Sequence, residues 1–249
     1  MFESIKNEIL QEVREIVGED FEGIFVDIAN IEKMDYDYHI FLDATLTRTL
    51  PKSNKYKMNG GATKIVIIPN DADYVIKIPI TGTYITERDA DGNEIHALEG
   101  KVNMTEFDHL EHEQNVWRIL NRESKKVFLP NITVGEINGI PIYVQERVAK
   151  TFMDTRSDQI EKTEGSVKSA QKLIEKSGYG SNDDVSILSE DFIAAIVEYY
   201  DEETARQVLG DAGDIGDLHD ENYGFTEDGR PVIFDYADFF VEMYTYDED

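Results

Sequence analysis

The sequence has no cysteine. Disulfide staples, thiolate nucleophiles and cysteine-based zinc sites are thereby excluded. Long apolar stretches are lacking too. The longest uninterrupted one is six residues, Phe192 to Val197, against roughly 20 for a helix that spans a bilayer. This excludes a membrane-spanning helix. The opening Met-Phe-Glu-Ser has neither the basic nor the apolar region of a secretory signal, so the chain is expected to work in a cytoplasm. Positive charge is the third shortage: 24 Lys and Arg stand against 52 Asp and Glu, a formal net charge of −28 at pH 7. Such a surface repels polyanions before contact, which disfavours direct binding to nucleic acid or an anionic membrane. The acidic excess reads either as a means of staying in solution or as a face that docks on a basic protein or imitates nucleic acid.

What is present has a globular balance, 41% hydrophobic and 31% charged over 249 residues, enough for one large domain or one domain with an extension. Phe2, Ile5, Ile9, Leu10, Val13 and Ile16 fall at helical spacing with Gly18 as a stop, which predicts an amphipathic N-terminal helix. Residues 21–50 are ambiguous. From Tyr56 the pattern turns to strands: Lys64–Pro69 and Tyr74–Ile80 form a hairpin about Asn70–Asp73, and a second hairpin, Thr83–Leu98, turns at Asp91-Gly92. A helix over about Thr105–Arg122 follows, then strands Ile132–Ile137 and Ile140–Val148 about Asn138-Gly139, the strongest short hairpin signal. Beyond Val148 the chain becomes helical. Thr155–Asp184 reads as a polar, mobile stretch; Ser189 caps a helix whose apolar face includes Phe192, Ile193, Ile196 and Val197, and Asp201 opens another through Leu209. A strand-rich half precedes a helix-rich half, an α+β arrangement.

Chemistry concentrates in Asp214-Ile-Gly-Asp-Leu-His-Asp-Glu-Asn-Tyr-Gly224 and in Gly229-Arg-Pro-Val-Ile-Phe-Asp-Tyr-Ala-Asp238. Phosphoryl transfer needs an oxygen base beside the acceptor hydroxyl and hard oxygen ligands for magnesium. Asp217, Asn222 and Asp235 can supply these groups. Asn222 lies five residues after Asp217, and Asp235 lies eighteen after Asp217, room for a loop, a short hairpin and the return of a second carboxylate. Two other motifs fail their own chemistry. His112-Glu113-Gln-Asn-Val116 has Val where a zinc-protease helix needs its second His, and Asp89–Glu94 puts Glu where a calcium loop requires Gly.

The Asp217-Leu-His-x-x-Asn222 segment resembles the catalytic loop of the protein-kinase-like superfamily, in particular its aminoglycoside and choline phosphotransferase branch. It is also similar to small kinase-like proteins encoded by bacteriophages. The resemblance covers roughly residues 56–240 and implies a bilobal fold with an antiparallel-sheet N-lobe and a short, mostly helical C-lobe. The expected organisation is an N-terminal helical extension over 1–55, an N-lobe over 56–148 and a C-lobe over 149–249. It further implies Asp217 as catalytic aspartate, Asn222 and Asp235 as magnesium ligands, and His219 near the transferred phosphate; His219 also reads as a loop residue packing the turn. Lys77 becomes the phosphate-binding lysine; by itself it reads more readily as the outward residue of an edge strand, and the surrounding pattern reverses that preference. Its implied partner is Glu113, which shares a face with Leu110, Trp117 and Leu120, in preference to Glu111 on the polar side. Gly60 and Gly61 lie in the implied phosphate loop. Gln145 takes the gatekeeper place and Glu146 to Val148 the hinge, or this run is an ordinary buried strand ending in a polar turn.

The match is incomplete in three places. Asp235-Tyr236-Ala237 replaces the usual Asp-Phe-Gly, Ile215 stands where the loop commonly begins with His, and only fourteen residues follow Asp235. Substrate-recognition parts are therefore expected to be minimal. Three functions are compatible with this pattern: an ATP- and magnesium-dependent kinase acting on protein Ser/Thr or on itself, with a small-molecule hydroxyl as alternative acceptor; a weak or inactive pseudokinase whose acidic surface binds and inhibits a basic partner; and a transferase that moves AMP. A phage-encoded chain would act in the host cytoplasm.

Overall fold

A computed structural model describes residues 4–27, 53–60, 63–88, 94–98, 109–177, 188–215 and 218–236. The chain divides into two compact units, Met1–Glu111 with Asn131–Glu146 and His112–Pro130 with Arg147–Asp249. Among the described residues the fold is α+β, built on a largely antiparallel sheet, with five α-helices. No helix among them is long and apolar enough to cross a membrane.

The first unit holds a seven-stranded sheet. Strands β2 (Tyr56–Gly60), β3 (Lys64–Pro69), β4 (Tyr74–Arg88), β7 (Ile140–Glu146) and β6 (Ile132–Ile137) run in the spatial order β2-β3-β4-β7-β6, while β1 (Ile24–Asp27) and β5 (Glu94–Leu98) both pair with β4. β1 is the parallel member. The isoleucine-rich alternation explains the layer. Ile65 and Ile67 of β3, Ile76, Ile78 and Ile80 of β4, and Ile142 and Val144 of β7 are buried on one face. Against them pack Ile9, Val13 and Ile16 of helix α1 (Lys6–Val17). Each such buried side chain contributes about 1.5–3 kcal/mol relative to exposure. The helix ends where the sequence predicts: Gly18 takes φ +86° and its N–H donates to the Arg14 carbonyl at 2.9 Å. The Asn138-Gly139 turn has φ of +53° and +83°, the double left-handed pair that a type I′ hairpin needs.

β4 departs from expectation. The two predicted hairpins share one fifteen-residue strand: its first half pairs with β3 and β7, its second with β5 and β1. Thr81 sits at this change of partners, and its hydroxyl donates to the Ile24 carbonyl at 3.0 Å. The tip at 91–92 lies outside the described residues.

The second unit is mainly helical. Helix α2 (His109–Ile119) begins in the first unit and continues into the second, where α3 (Glu164–Ser177), α4 (Glu190–Tyr199) and α5 (Glu202–Ala212) surround a core centred on Phe192, Val208, Leu209 and Tyr223. A three-stranded sheet joins β8 (Lys150–Thr151), β9 (Tyr223–Phe225) and β10 (Pro231–Ile233). Ser189 caps α4 by accepting from the Asp191 N–H, and Asp201 caps α5 by accepting from the Thr204 N–H at 2.7 Å. The expectation of a mobile Thr155–Asp184 stretch is corrected over Glu164–Ser177. α3 forms there, burying Ser166, Ala170 and Leu173, because a sparse apolar stripe among charges suffices when neighbouring helices cover it. Residues 178–187 lie outside the described set.

Candidate functional site

The residues singled out in the sequence fall in both units. In the first, β4 lies between β3 and β7, so Lys77 is on an interior strand, paired with Val66 and Tyr143. This overturns the reading of Lys77 as an edge-strand residue. Its side chain is only 3% exposed. Strand alternation puts it on the sheet face opposite α1, since its neighbours Ile76 and Ile78 fill the core beneath that helix. Gln145, 1% exposed, pairs with Val75, two residues before Lys77. The same alternation places Gln145 and Lys77 on one face of adjacent strands. Glu146 and Val148 are half-buried at and just beyond the end of β7. Gly60 closes β2 opposite Ile65, so it belongs to a strand end and leads into the connection to β3. Gly61 lies outside the described residues.

In the second unit, the β9–β10 hairpin converts a sequence interval into proximity. Asn222 immediately precedes β9 and Asp235 follows β10 by two residues, and the Phe234 N–H donates to the Asn222 carbonyl at 3.0 Å. Both residues therefore stand at the open end of one hairpin. Asn222 is 8% exposed. Its own N–H donates to the His219 carbonyl at 2.8 Å, closing the turn that precedes the strand. The His219 ring is about half exposed, and its Nδ1 accepts from the Glu221 N–H at 3.4 Å. That contact fits the turn-packing reading. Asp217 lies outside the described residues, while Ile215 and Leu218 on either side of it are buried.

Tyr236 fixes the position of Asp235. Its ring is 1% exposed and packs edge-on to Phe128 at 5.1 Å, and its hydroxyl donates to the Leu129 carbonyl at 2.7 Å. Leu129 in turn donates its N–H to the Ile233 carbonyl at 2.8 Å, so both ends of the segment from Ile233 to Tyr236 are tied to one residue. Burial, above all, and then the Glu113 and Asp235 carboxylates hold the Tyr236 phenol well above its usual value. Glu113 and Asp235 thus act on one phenol. Glu113 is fully buried while Glu111 is exposed, as the face assignment on α2 predicts. A carboxylate at that depth requires hydrogen-bonding or cationic partners to stay ionised.

The donor set is an amide oxygen and a carboxylate oxygen, hard ligands of the kind magnesium takes alongside substrate phosphates and water. The side chains of Asn222 and Asp235, at one end of the hairpin, are donors of that chemistry. Among the described residues no group of three or more His, Asp or Glu side chains is arranged to hold a metal by itself.

Two supporting residues escape sequence reasoning. Tyr236 stands where the familiar motif has Phe, and only the structure shows what its hydroxyl does. Gly224 of β9 has ordinary strand backbone, yet a Cβ there would lie 2.1 Å from the Lys150 carbonyl oxygen. A glycine between Asn222 and Asp235 was the available signal. The sequence matches no known family model and no curated protein.

Proposed function

We propose that this chain is an ATP- and magnesium-dependent phosphotransferase of the protein-kinase-like superfamily, bilobal in that sense, acting on protein Ser/Thr hydroxyls or on itself. The observation that carries the reading is the hairpin that brings Asn222 and Asp235 to one end, with Tyr236 anchoring the second of them. The buried Lys77 and Gln145 on one sheet face support it, as does the sequence resemblance of the Asp217–Asn222 loop.

In this reading Lys77 takes the role of the phosphate-binding lysine, Glu113 that of the carboxylate the resemblance assigns to it, and Gly60 and Gly61 that of the phosphate loop. Gln145 sits behind the base, whose edge is met by backbone from Glu146 to Val148. Asn222 and Asp235 would hold magnesium, which supplies charge neutralisation on the phosphate oxygens. Asp217 aligns the acceptor hydroxyl and takes its proton as the oxygen bonds to the γ-phosphorus and the bond to the ADP oxygen breaks. The test is Asp217→Asn assayed for γ-phosphate transfer and for nucleotide affinity. Turnover is expected to fall about 10²–10⁴-fold with affinity nearly unchanged; full turnover in this variant refutes the assignment. The net charge of −28 favours a second reading, a kinase-like binding module for a basic protein. That reading requires a partner complex that survives Asp217→Ala.

A further inference from the structure

A cleft of about 610 Å³ opens in the second unit beside the β9–β10 turn. It lies away from Asn222 and Asp235. Those residues stand at the open end of the hairpin, whereas the cleft is lined by Phe225 and by the turn at the other end, closed by Thr226 N–H to Arg230 carbonyl and Gly229 N–H to Thr226 carbonyl bonds, each 3.0 Å. The volume falls within the range, about 300–1,000 Å³, typical of ligand pockets.

The lining has a consistent chemistry. Its apolar floor is formed by the buried Ile160 and Ala195 and the half-buried Phe225. Its rim carries four exposed carboxylates, Glu161, Glu198, Glu227 and Asp228, against one cation, Lys150. Two of the four are held ionised. The Thr163 hydroxyl donates to Glu198 at 2.7 Å and the Thr226 hydroxyl donates to Asp228, and each contact lowers the carboxyl below its usual range. Tyr199, 46% exposed, presents a large aromatic side chain at the same cleft. An aromatic surface beside carboxylates suits a cation on an aliphatic stem, which stacks on the ring and pairs with the acid.

The geometry points to this cleft as a docking site for a basic peptide segment of a partner protein, with Lys or Arg heads on the acidic rim and apolar side chains on the floor. Charge complementarity selects the occupant: a floor of this kind alone would take any apolar segment, but four acids to one base exclude an acidic or neutral one. The inference does not rest on the phosphotransfer reading. It supplies a seat for a basic partner whether that partner is a phosphoryl acceptor or is only bound.

The test uses the full chain without nucleotide and a fluorescent peptide alternating arginine with leucine, read by anisotropy. Glu198→Gln with Glu227→Gln is compared with Glu164→Gln with Glu175→Gln on α3, two exposed carboxylates that are not part of the cleft lining and whose loss removes the same charge; Tyr199→Ala is the third variant. Rim pairs of this exposure are worth about 0.2–1 kcal/mol each, so the cleft double variant should weaken binding by roughly 2- to 30-fold, the α3 pair by less than about twofold, and Tyr199→Ala by roughly 2- to 5-fold. Equal weakening in both double variants would show that the peptide reads net charge alone and would overturn the proposal. So would absence of binding to the unaltered chain, or competition by spermidine as effective as by unlabelled peptide.

Discussion

Replacing Gly224 by alanine tests whether the hairpin that presents Asn222 and Asp235 depends on close backbone approach. The added Cβ would sit 2.1 Å from the Lys150 carbonyl oxygen and 2.8 Å from the Thr151 Cα. Both obstacles are backbone, so no side-chain rotation relieves the clash, and β8 must move away from β9 by more than an ångström. The β8–β9 ladder is short, flanked by the Ala149 N–H to Phe225 carbonyl bond at 2.9 Å and the Phe152 N–H to Tyr223 carbonyl bond at 2.8 Å. Losing two such bonds costs about 1–3 kcal/mol, and forcing extra volume into a packed site costs about 1–3 kcal/mol more. We expect Gly224→Ala to destabilise by about 2–6 kcal/mol, read as a lowered urea midpoint at unchanged slope. Gly210→Ala is the contrast. That glycine lies in α5 with open space about its Cβ position and ordinary helical backbone, so the substitution should stabilise by about 0.4–1 kcal/mol. If Gly224→Ala unfolds within about 0.5 kcal/mol of the unaltered chain, the argument from close approach is wrong.

Other outcomes follow from the same geometry. Tyr236→Phe removes the hydroxyl that donates to the Leu129 carbonyl, and should cost about 0.5–1.5 kcal/mol near neutral pH. Because the fold raises this phenol above 10.0, its contribution is complete below that pH and is lost as pH rises through the higher folded value; the variant should lack that alkaline loss in urea titrations. Asp201→Ala should cost about 0.5–2 kcal/mol at neutral pH by removing the α5 cap. The Thr204 N–H holds the Asp201 carboxyl below 3.8, so the capping contribution is present above that pH and disappears as pH falls through the lower folded value. Asp201→Asn should keep the cap and lose its pH dependence, which thermal unfolding from acid to neutral pH would reveal.

Much of this architecture is legible in the sequence, for reasons that differ by element. The Asn138-Gly139 turn was readable because few residue pairs accept two positive φ values. The Asn138 amide adds something no propensity conveys: it donates to the Glu19 and Phe21 carbonyls, both at 2.9 Å, tying the turn to the chain that leaves α1. Glu113 was separable from Glu111 because helical periodicity puts only one of them on the apolar stripe. The interior place of Lys77 was not separable, since a strand of β-branched residues reads alike at a sheet edge and in its middle; neighbours far along the chain decide it. Helix α3 was hidden for a similar reason: its stripe, Val167, Ala170, Leu173 and Ile174, is diluted by lysines and glutamates and becomes sufficient only against α4 and α5. The resemblance singled out Asn222 and Asp235, but the hydrogen bond from Phe234 and the buried Tyr236 hydroxyl that bring them to one end of a hairpin depend on pairings no local pattern encodes.

We propose that Asn222 and Asp235 serve a magnesium–nucleotide site. The most direct test is thermal unfolding of the full chain with ATP, with magnesium, and with both, in parallel with Asp235→Ala. A ligand that binds only the native state stabilises it by mass action, about 2.7 kcal/mol at a hundredfold excess over Kd, or roughly 5–10 °C for a chain of this size. We expect that shift with ATP and magnesium together, little with either alone, and its loss in Asp235→Ala. No shift at millimolar ATP and magnesium, or an equal shift in Asp235→Ala, would contradict the account.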